Sequence, residues 1–209
     1  IDIIRREQTE VVQKAVGAGA EEAVYSPLGE KIKSRFPWLL VNLCTSTVAA
    51  VVVLQFEDLI TELAILAVLM PVIANQAGNA GQQSLAVTLR GIVLDQIRHS
   101  RVWPLIMREA VVGLFNGLVG GLLVGIGLAF FSSSVEGASW RLGLVAAIAM
   151  MVSLSLGCFM GSSMPILIRR LGFDPATGST IFLTMTTDTM SFVTFLSLAS
   201  VLSHWLLPH

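Results

Sequence analysis

Long apolar runs without a charge dominate this chain, and their lengths predict its architecture. They extend from Phe36 to Phe56, Leu63 to Leu89, Ala110 to Val135 and Leu142 to Ile168, with a fifth from Ala176 toward the C-terminal end in which Asp188 is the only acid. A helix needs about 20 apolar residues to cross a bilayer core, so five membrane-spanning helices are expected. Strands of about 10 residues with alternating polarity, which would signal a β-barrel, are missing. Residues 1–35 differ in character: Ile3, Ile4, Val11, Val12 and Val16 interleave with Arg5, Arg6, Glu7, Glu10 and Lys14 at helical spacing. Gly17-Ala18-Gly19 interrupts that pattern, and a charged segment from Glu21 to Arg35 follows, ending at Pro37. The expected fold class is all-α, a polytopic membrane protein with five transmembrane helices preceded by a cytoplasmic or interfacial helix. Two units result, a connecting segment over 1–35 and a five-helix domain over 36–209.

Composition agrees with this reading. Of 209 residues 54% are hydrophobic and 13% charged, with mean hydropathy +0.78, whereas soluble domains carry roughly 25% charged residues. The net charge of −1 hides a strong asymmetry. Arg5, Arg6, Lys14, Lys31, Lys33 and Arg35 precede the first span, Arg90, Arg98, Arg101 and Arg108 separate the second and third, and Arg169 and Arg170 separate the fourth and fifth. On the other side stand Arg141, Glu57, Asp58, Glu62 and Glu136. Cytoplasmic loops retain Lys and Arg, so the N-terminus is expected in the cytoplasm and the C-terminus outside, in a plasma or bacterial inner membrane. No basic, aromatic-interleaved patch points to a nucleic-acid partner. The opening Ile1-Asp2-Ile3-Ile4 has no secretory-signal pattern and reads as the interior of a longer protein.

Some features read as packing rather than chemistry. Gly113, Gly117, Gly121 and Gly125 form one stripe on the third span, and Gly157, Gly161 and Ser153 share a face of the fourth. Bare backbone lets helices approach closely in lipid, where van der Waals contact is the main attraction. Asn116, beside the first stripe, is expected to hydrogen-bond a neighbouring helix, with a pore-lining role as the alternative. Cys44 and Cys158 lie within spans and read as structural.

The second span is the polar one. Between Met70 and Ser84 it carries Asn75, Gln76, Asn79, Gln82 and Gln83, together with Pro71, Gly78 and Gly81. Unsatisfied polar groups cost several kcal/mol each in hydrocarbon, so these amides must face protein or water. Asn75, Asn79 and Gln82 or Gln83 stack on one helix face. On the fifth span Thr180, Thr184, Asp188 and Ser191 recur at intervals of four, four and three, flanked by Thr177, Thr187 and Thr194. Any one of these hydroxyls could simply bond back to the preceding turn. Asp188 has no such outlet, and a carboxylate within the membrane marks a functional site by default, costing on the order of 3 kcal/mol to insert.

No Lys, Arg or His lies in another charge-free run to neutralise Asp188, so a non-protein countercharge is expected. His99, His204 and His209 fall outside those runs, which disfavours zinc and copper. Oxygen-rich surroundings suit a hard cation, and magnesium keeps several waters that amides and carbonyls can hold. One acid makes a weak site, which two chains around a shared axis would double. Enzymatic readings fare poorly: aspartyl proteolysis needs two carboxylates, and Ser162 or Ser163 has no base within a span. Asp174, in Gly172-Phe173-Asp174-Pro175, reads as a turn or cap.

Several of these motifs resemble the membrane domain of the MgtE family of magnesium channels: Pro37-Trp38-Leu39, Pro71 followed by Gly78-Asn79-Ala80-Gly81-Gln82-Gln83-Ser84, Arg169-Arg170-Leu171-Gly172-Phe173-Asp174-Pro175-Ala176, and Asp188. The resemblance implies a homodimer of five-span subunits, with a pore lined by spans 2 and 5 that opens when cytoplasmic magnesium is low. It implies that Asp188 holds a hydrated Mg²⁺ as the transported ion and that Gly78 offers a backbone carbonyl. Residues 1–35 resemble the end of a second CBS domain and the connecting helix that plugs the pore, so most of the regulatory CBS pair lies outside this sequence. Gln82 and Ala86 depart from the family pattern, standing where a member has Asn and Thr. The metal-site residues expected are Asp188, Gly78, Gln82, Asn79 and Thr184. The function expected is passive magnesium conduction; the alternatives are a secondary transporter exchanging a divalent cation for H⁺ or Na⁺, and a non-transporting scaffold with a dry interior.

Overall fold

A computed structural model describes residues 13–18, 22–131 and 139–206; the amphipathic stretch from Ile3 to Val12 lies outside them. Helix α1 spans Leu28–Leu54, α2 Glu57–Glu62, α3 Ile65–Val93, α4 Val102–Phe130, α5 Trp140–Arg170, α6 Ser179–Val201 and α7 Ser203–Leu206, with a 3₁₀ turn over His99–Arg101. Among the described residues there is no strand, so the all-α class holds. Helices α1, α4, α5 and α6 are long and apolar enough to cross a membrane, as befits a multi-pass membrane protein. Helix α3 matches them in length at 29 residues, about 43 Å at 1.5 Å per residue, but carries the amides that make it polar.

Two helix starts differ from the charge-free runs. Helix α1 begins at Leu28, after Pro27, and continues through Pro37; the charged residues Lys31 to Arg35 therefore ride on the same helix as the first apolar run. Helix α4 begins at Val102, eight residues before the run it contains. In both, charged side chains extend an apolar helix past the hydrocarbon, because helix formation depends on backbone bonding and length rather than on hydropathy.

Helix α5 is the central post, packed against α3, α4 and α6, while α1 touches α6. Its start is capped by Ser139, whose Oγ accepts from the Leu142 N–H at 3.2 Å, satisfying one of the free first-turn donors. Arg169 and Arg170 end it, where positive charge complements the helix dipole. Arg141 is explained locally: its guanidinium donates to the Trp205 carbonyl at 2.8 Å and lies over the Trp140 and Trp205 rings.

The glycine stripe on α4 is the seam with α5. A Cβ on Gly113 would strike Leu154, one on Gly117 would lie 2.6 Å from the Met150 oxygen, and one on Gly121 would meet Ala147. Gly125 faces Gly143. Partner positions fall by three or four as the glycines rise by four, as antiparallel helices in backbone contact require. A second seam joins α5 to α3, with Gly157 against the Ala77 carbonyl and Gly161 against that of Gly81. Leu66, Ile73, Leu142, Met150, Phe195 and Leu196 fill the core among α3, α5 and α6, each 2% exposed or less. Asn116 departs from expectation: it is exposed and makes no hydrogen bond among the described residues, because the glycines draw the neighbouring face, not its own, onto α5.

Candidate ion-conduction site

Helices α3 and α6 pack against each other, with Gly78 in the contact. A Cβ there would lie 3.6 Å from Thr187 Oγ1, so α3 presents nearly bare backbone one residue from Asp188. Gly81 is likewise pressed between Gly157 and Leu183. These contacts fix which side of α3 is buried and leave the rest free. Pro71, Asn75, Gln76, Asn79, Gln82, Gln83 and Ala86 form the exposed face, while Ile73, Ala77, Ala80, Ser84 and Leu85 are buried. The amide stripe expected on one helix face is therefore present and exposed among the described residues.

Asp188 is half-buried on α6 and has no hydrogen-bond or ion-pair partner among the described residues. Among the described residues no three His, Cys, Asp or Glu side chains gather into a metal cluster. The threonines around Asp188 bond to their own helix: Thr184 Oγ1 donates to the Thr180 carbonyl at 2.9 Å and Thr187 Oγ1 to the Thr184 carbonyl at 3.1 Å. A hydroxyl that donates backward keeps its lone pairs for water. Ser191 leaves the expected stripe. It is 1% exposed and faces the core, where its hydroxyl and that of Thr189 are buried without a partner. The 23-residue helix rotates about 100° per residue, so the interval of three after Asp188 carries Ser191 toward the Thr187 face.

A 610 Å³ cavity lies beyond this contact, lined by Gln82, Ala86 and Arg90 of α3, Thr180 of α6, and Ala15 and Val16 of the segment before α1. It brings Gln82 together with the fifth-span stripe, and it contains both positions that depart from the family pattern. The 13–18 segment is held over it. Lys14 pairs with Asp174 at 3.1 Å, its carbonyl accepts from the Gly178 N–H at 3.1 Å, and Gly17, at φ +75°, closes on Trp38 and Ile181. Asp174 is also the turn residue expected, its Oδ1 accepting from the Ala176 N–H at 3.0 Å. Outside the membrane, the hydrogen bond and charge of Arg35 hold Glu22 below the usual carboxylate range.

Of the expected metal-site residues, Gly78 lies against the residue before Asp188, Thr184 lies one turn before it, and Gln82 lines the adjoining cavity. Asn79 is exposed on the amide face with no contact to Asp188 given by any hydrogen bond. A further acid went unread in the sequence. Glu109, on the first part of α4, accepts from Ser84 Oγ at 2.7 Å, and Thr88, one turn beyond Ser84, has a buried hydroxyl without a partner. The signal was available: Arg108-Glu109 closes a polar connection whose helix begins eight residues earlier than hydropathy indicates.

Comparison with known proteins follows the same residues. The profile of the MgtE family, described as a divalent cation transporter, matches residues 70–198, more than half of the chain, from Met70 on the polar helix to beyond Asp188. Proteins named magnesium transporter MgtE are similar over nearly all of it. That of Enterococcus faecalis is 34% identical over 201 residues, 96% of this chain and 43% of the relative, and that of Bacillus subtilis 28% over 204 residues, 98% and 44%. The Thermus thermophilus protein is 27% identical over 205 residues, 97% of this chain and 44% of its own length. The chain thus spans less than half the length of these relatives. With its polar α3, its α3–α6 contact at Gly78 and its unpartnered Asp188 inside the matched region, this chain belongs to the MgtE divalent cation transporter family.

Proposed function

We propose that this chain is the pore domain of a passive magnesium channel, in which two copies face each other across their α3 and α6 helices and hydrated Mg²⁺ passes between them. The observation that carries the reading is Asp188, half-buried on α6 without a protein partner among the described residues and adjacent to the Gly78 contact with amide-lined α3. A second copy would cover the exposed amide face, remove it from lipid, and supply the second carboxylate. Five crossings follow, with α3 shielded from lipid as the fifth, and the arginine-rich ends of the helices in the cytoplasm. The family description supports a divalent cation, and the relatives' names support magnesium as the ion.

Within this reading, Asp188 attracts the ion through its waters, the Gly78 carbonyl region and Thr184 accept hydrogen bonds from those waters, and Asn79 and Gln82 extend the polar wall. First-shell waters stay on magnesium because it dehydrates reluctantly. Conduction requires a site weak enough to release the ion, and outer-sphere contacts meet that need. Residues before α1 connect to a regulatory part of the longer protein, and the 13–18 segment over the cavity is positioned to transmit its state. Continuous α3 and α6 support conduction over exchange, since the broken helices typical of secondary transporters are not found in either.

Magnesium flux into liposomes tests the reading. Asp188→Ala should abolish flux while the protein stays folded, and flux through the unsubstituted chain should follow the magnesium gradient without proton movement. Undiminished flux in the variant would overturn the site, and stoichiometric proton counterflow would favour the exchanger.

A further inference from the structure

The α4–α5 seam is closed by glycine over only part of its length. Continued backward from Gly113 in steps of four, the stripe meets Glu109, Leu105 and Arg101, side chains too large for backbone contact. The two helices meet there through side chains, as Trp103 does with Phe159. Between them lies a 380 Å³ groove whose walls include Trp103 and Ile106 of α4 and Phe159, Ser163, Ile166 and Arg170 of α5. A second hollow of 320 Å³ adjoins it, sharing Val102, Ile166 and Arg170 and adding Arg169 and Asp95. The floor is apolar and the mouth is basic.

Three observations specify the occupant. Trp103 and Leu167, on its two walls, are 62% and 54% exposed, so the groove opens onto the apolar outer surface and not into the protein. Its charged end is lined by Arg169 and Arg170 with one acid, Asp95, which reaches Arg169 at 3.7 Å; Arg170 has no ion pair or hydrogen bond among the described residues. Trp103, 62% exposed and edge-on to Phe159 at 6.3 Å, sits where interfacial tryptophans lie at headgroup depth. Basic pockets between helices at a membrane surface bind lipid phosphates, and guanidinium matches phosphate with paired donors.

We infer that this groove holds an anionic phospholipid, with its phosphate at Arg170 and one acyl chain laid over Ile106, Phe159 and Ile166. The site is separate from the α3–α6 contact and does not depend on the ion conducted.

Lipid retention by the purified full chain, read by native mass spectrometry, tests the inference. Phosphatidylglycerol and phosphatidylcholine with identical acyl chains serve as probes. Phosphatidylglycerol should be retained over phosphatidylcholine, and Arg170→Gln should lower its retention about fivefold, the effect of one basic residue at a membrane surface. Ser163→Trp, which fills the groove and leaves the arginines intact, should lower it as well, whereas Lys33→Gln on α1 should not. Equal retention of the two lipids by the unsubstituted chain, or undiminished retention in either groove variant, would overturn the inference. Displacement by excess inorganic phosphate would reassign the arginines to a free anion and overturn it too.

Discussion

The α4–α5 seam and the α3–α6 contact use the same device, glycine at a helix surface, for opposite ends. On α4 four glycines spaced by four are met by α5 backbone along their length, and the contact contains no side chain that needs water. On α3 Gly78 and Gly81 bring backbone to α6 and α5, but the next residues around the helix are amides left exposed. Close approach in one place binds two helices together; in the other it exposes a polar face beside a carboxylate. What distinguishes a seam from a site is therefore the chemistry of the flanking positions, not the glycine spacing.

That distinction predicts a separation of effects, largest for the acid itself. Asp188→Asn should reduce magnesium flux to background, because the neutral amide keeps the shape and loses the charge. Its thermal midpoint should stay level or rise, since a membrane-embedded charge is removed. A fall in stability comparable to the loss of flux would mean that Asp188 is a structural residue and the comparison fails.

The reverse pattern belongs to the seam. Gly117→Leu places a branched side chain where a Cβ already lies 2.6 Å from the Met150 oxygen, and overpacking of this kind costs about 1–3 kcal/mol or more. The folded fraction, measured by gel filtration and thermal unfolding in detergent, should drop, and flux should fall only in proportion to it. A folded Gly117→Leu protein with altered ion selectivity would place the seam in the conduction path.

Helices α1, α4, α5 and α6 were legible in the sequence because charge-free length is a sufficient signal for a lipid-spanning segment. The α4 glycine stripe was legible as a seam but not its partner, since Leu154, Met150 and Ala147 carry no mark of being met. Helix starts were displaced wherever charged residues extend an apolar helix, at Leu28 and Val102, and the second displacement concealed Glu109. The Ser84–Glu109 bond joins positions 25 apart on different helices, and no local spacing encodes it. Asp188 and the amide stripe were legible because polar groups in an apolar run are conspicuous; the burial of Ser191 was not, because a heptad-like interval drifts on a helix of 3.6 residues per turn.

Glu109 lies between the two extremes, a carboxylate with a protein partner. Glu109→Ala leaves the buried Ser84 hydroxyl unpaired beside the unpartnered Thr88, a loss of about 1–3 kcal/mol. Thermal unfolding should register it, and Ser84→Ala in the same protein should restore part of the loss, because the orphaned hydroxyl is then gone. Without that rescue, the Ser84 bond is not what Glu109 contributes.

The smallest expected effect sharpens the comparison most, because it concerns a hydroxyl already satisfied. Thr184 Oγ1 donates to the Thr180 carbonyl at 2.9 Å, so its proton is engaged with its own helix and its lone pairs are left free. Waters held by a magnesium ion are strong donors and need acceptors, which is the side of the hydroxyl that remains. Thr184→Val keeps the shape and removes the acceptor; the helix loses one back-bond of little net worth, within about 1 kcal/mol. Flux should fall a few-fold with the thermal midpoint nearly unchanged, and Thr184→Ser should retain most of the flux. If Val and Ser variants conduct alike, the hydroxyl serves only its own helix, and the polar lining of α6 near the ion contracts to Asp188.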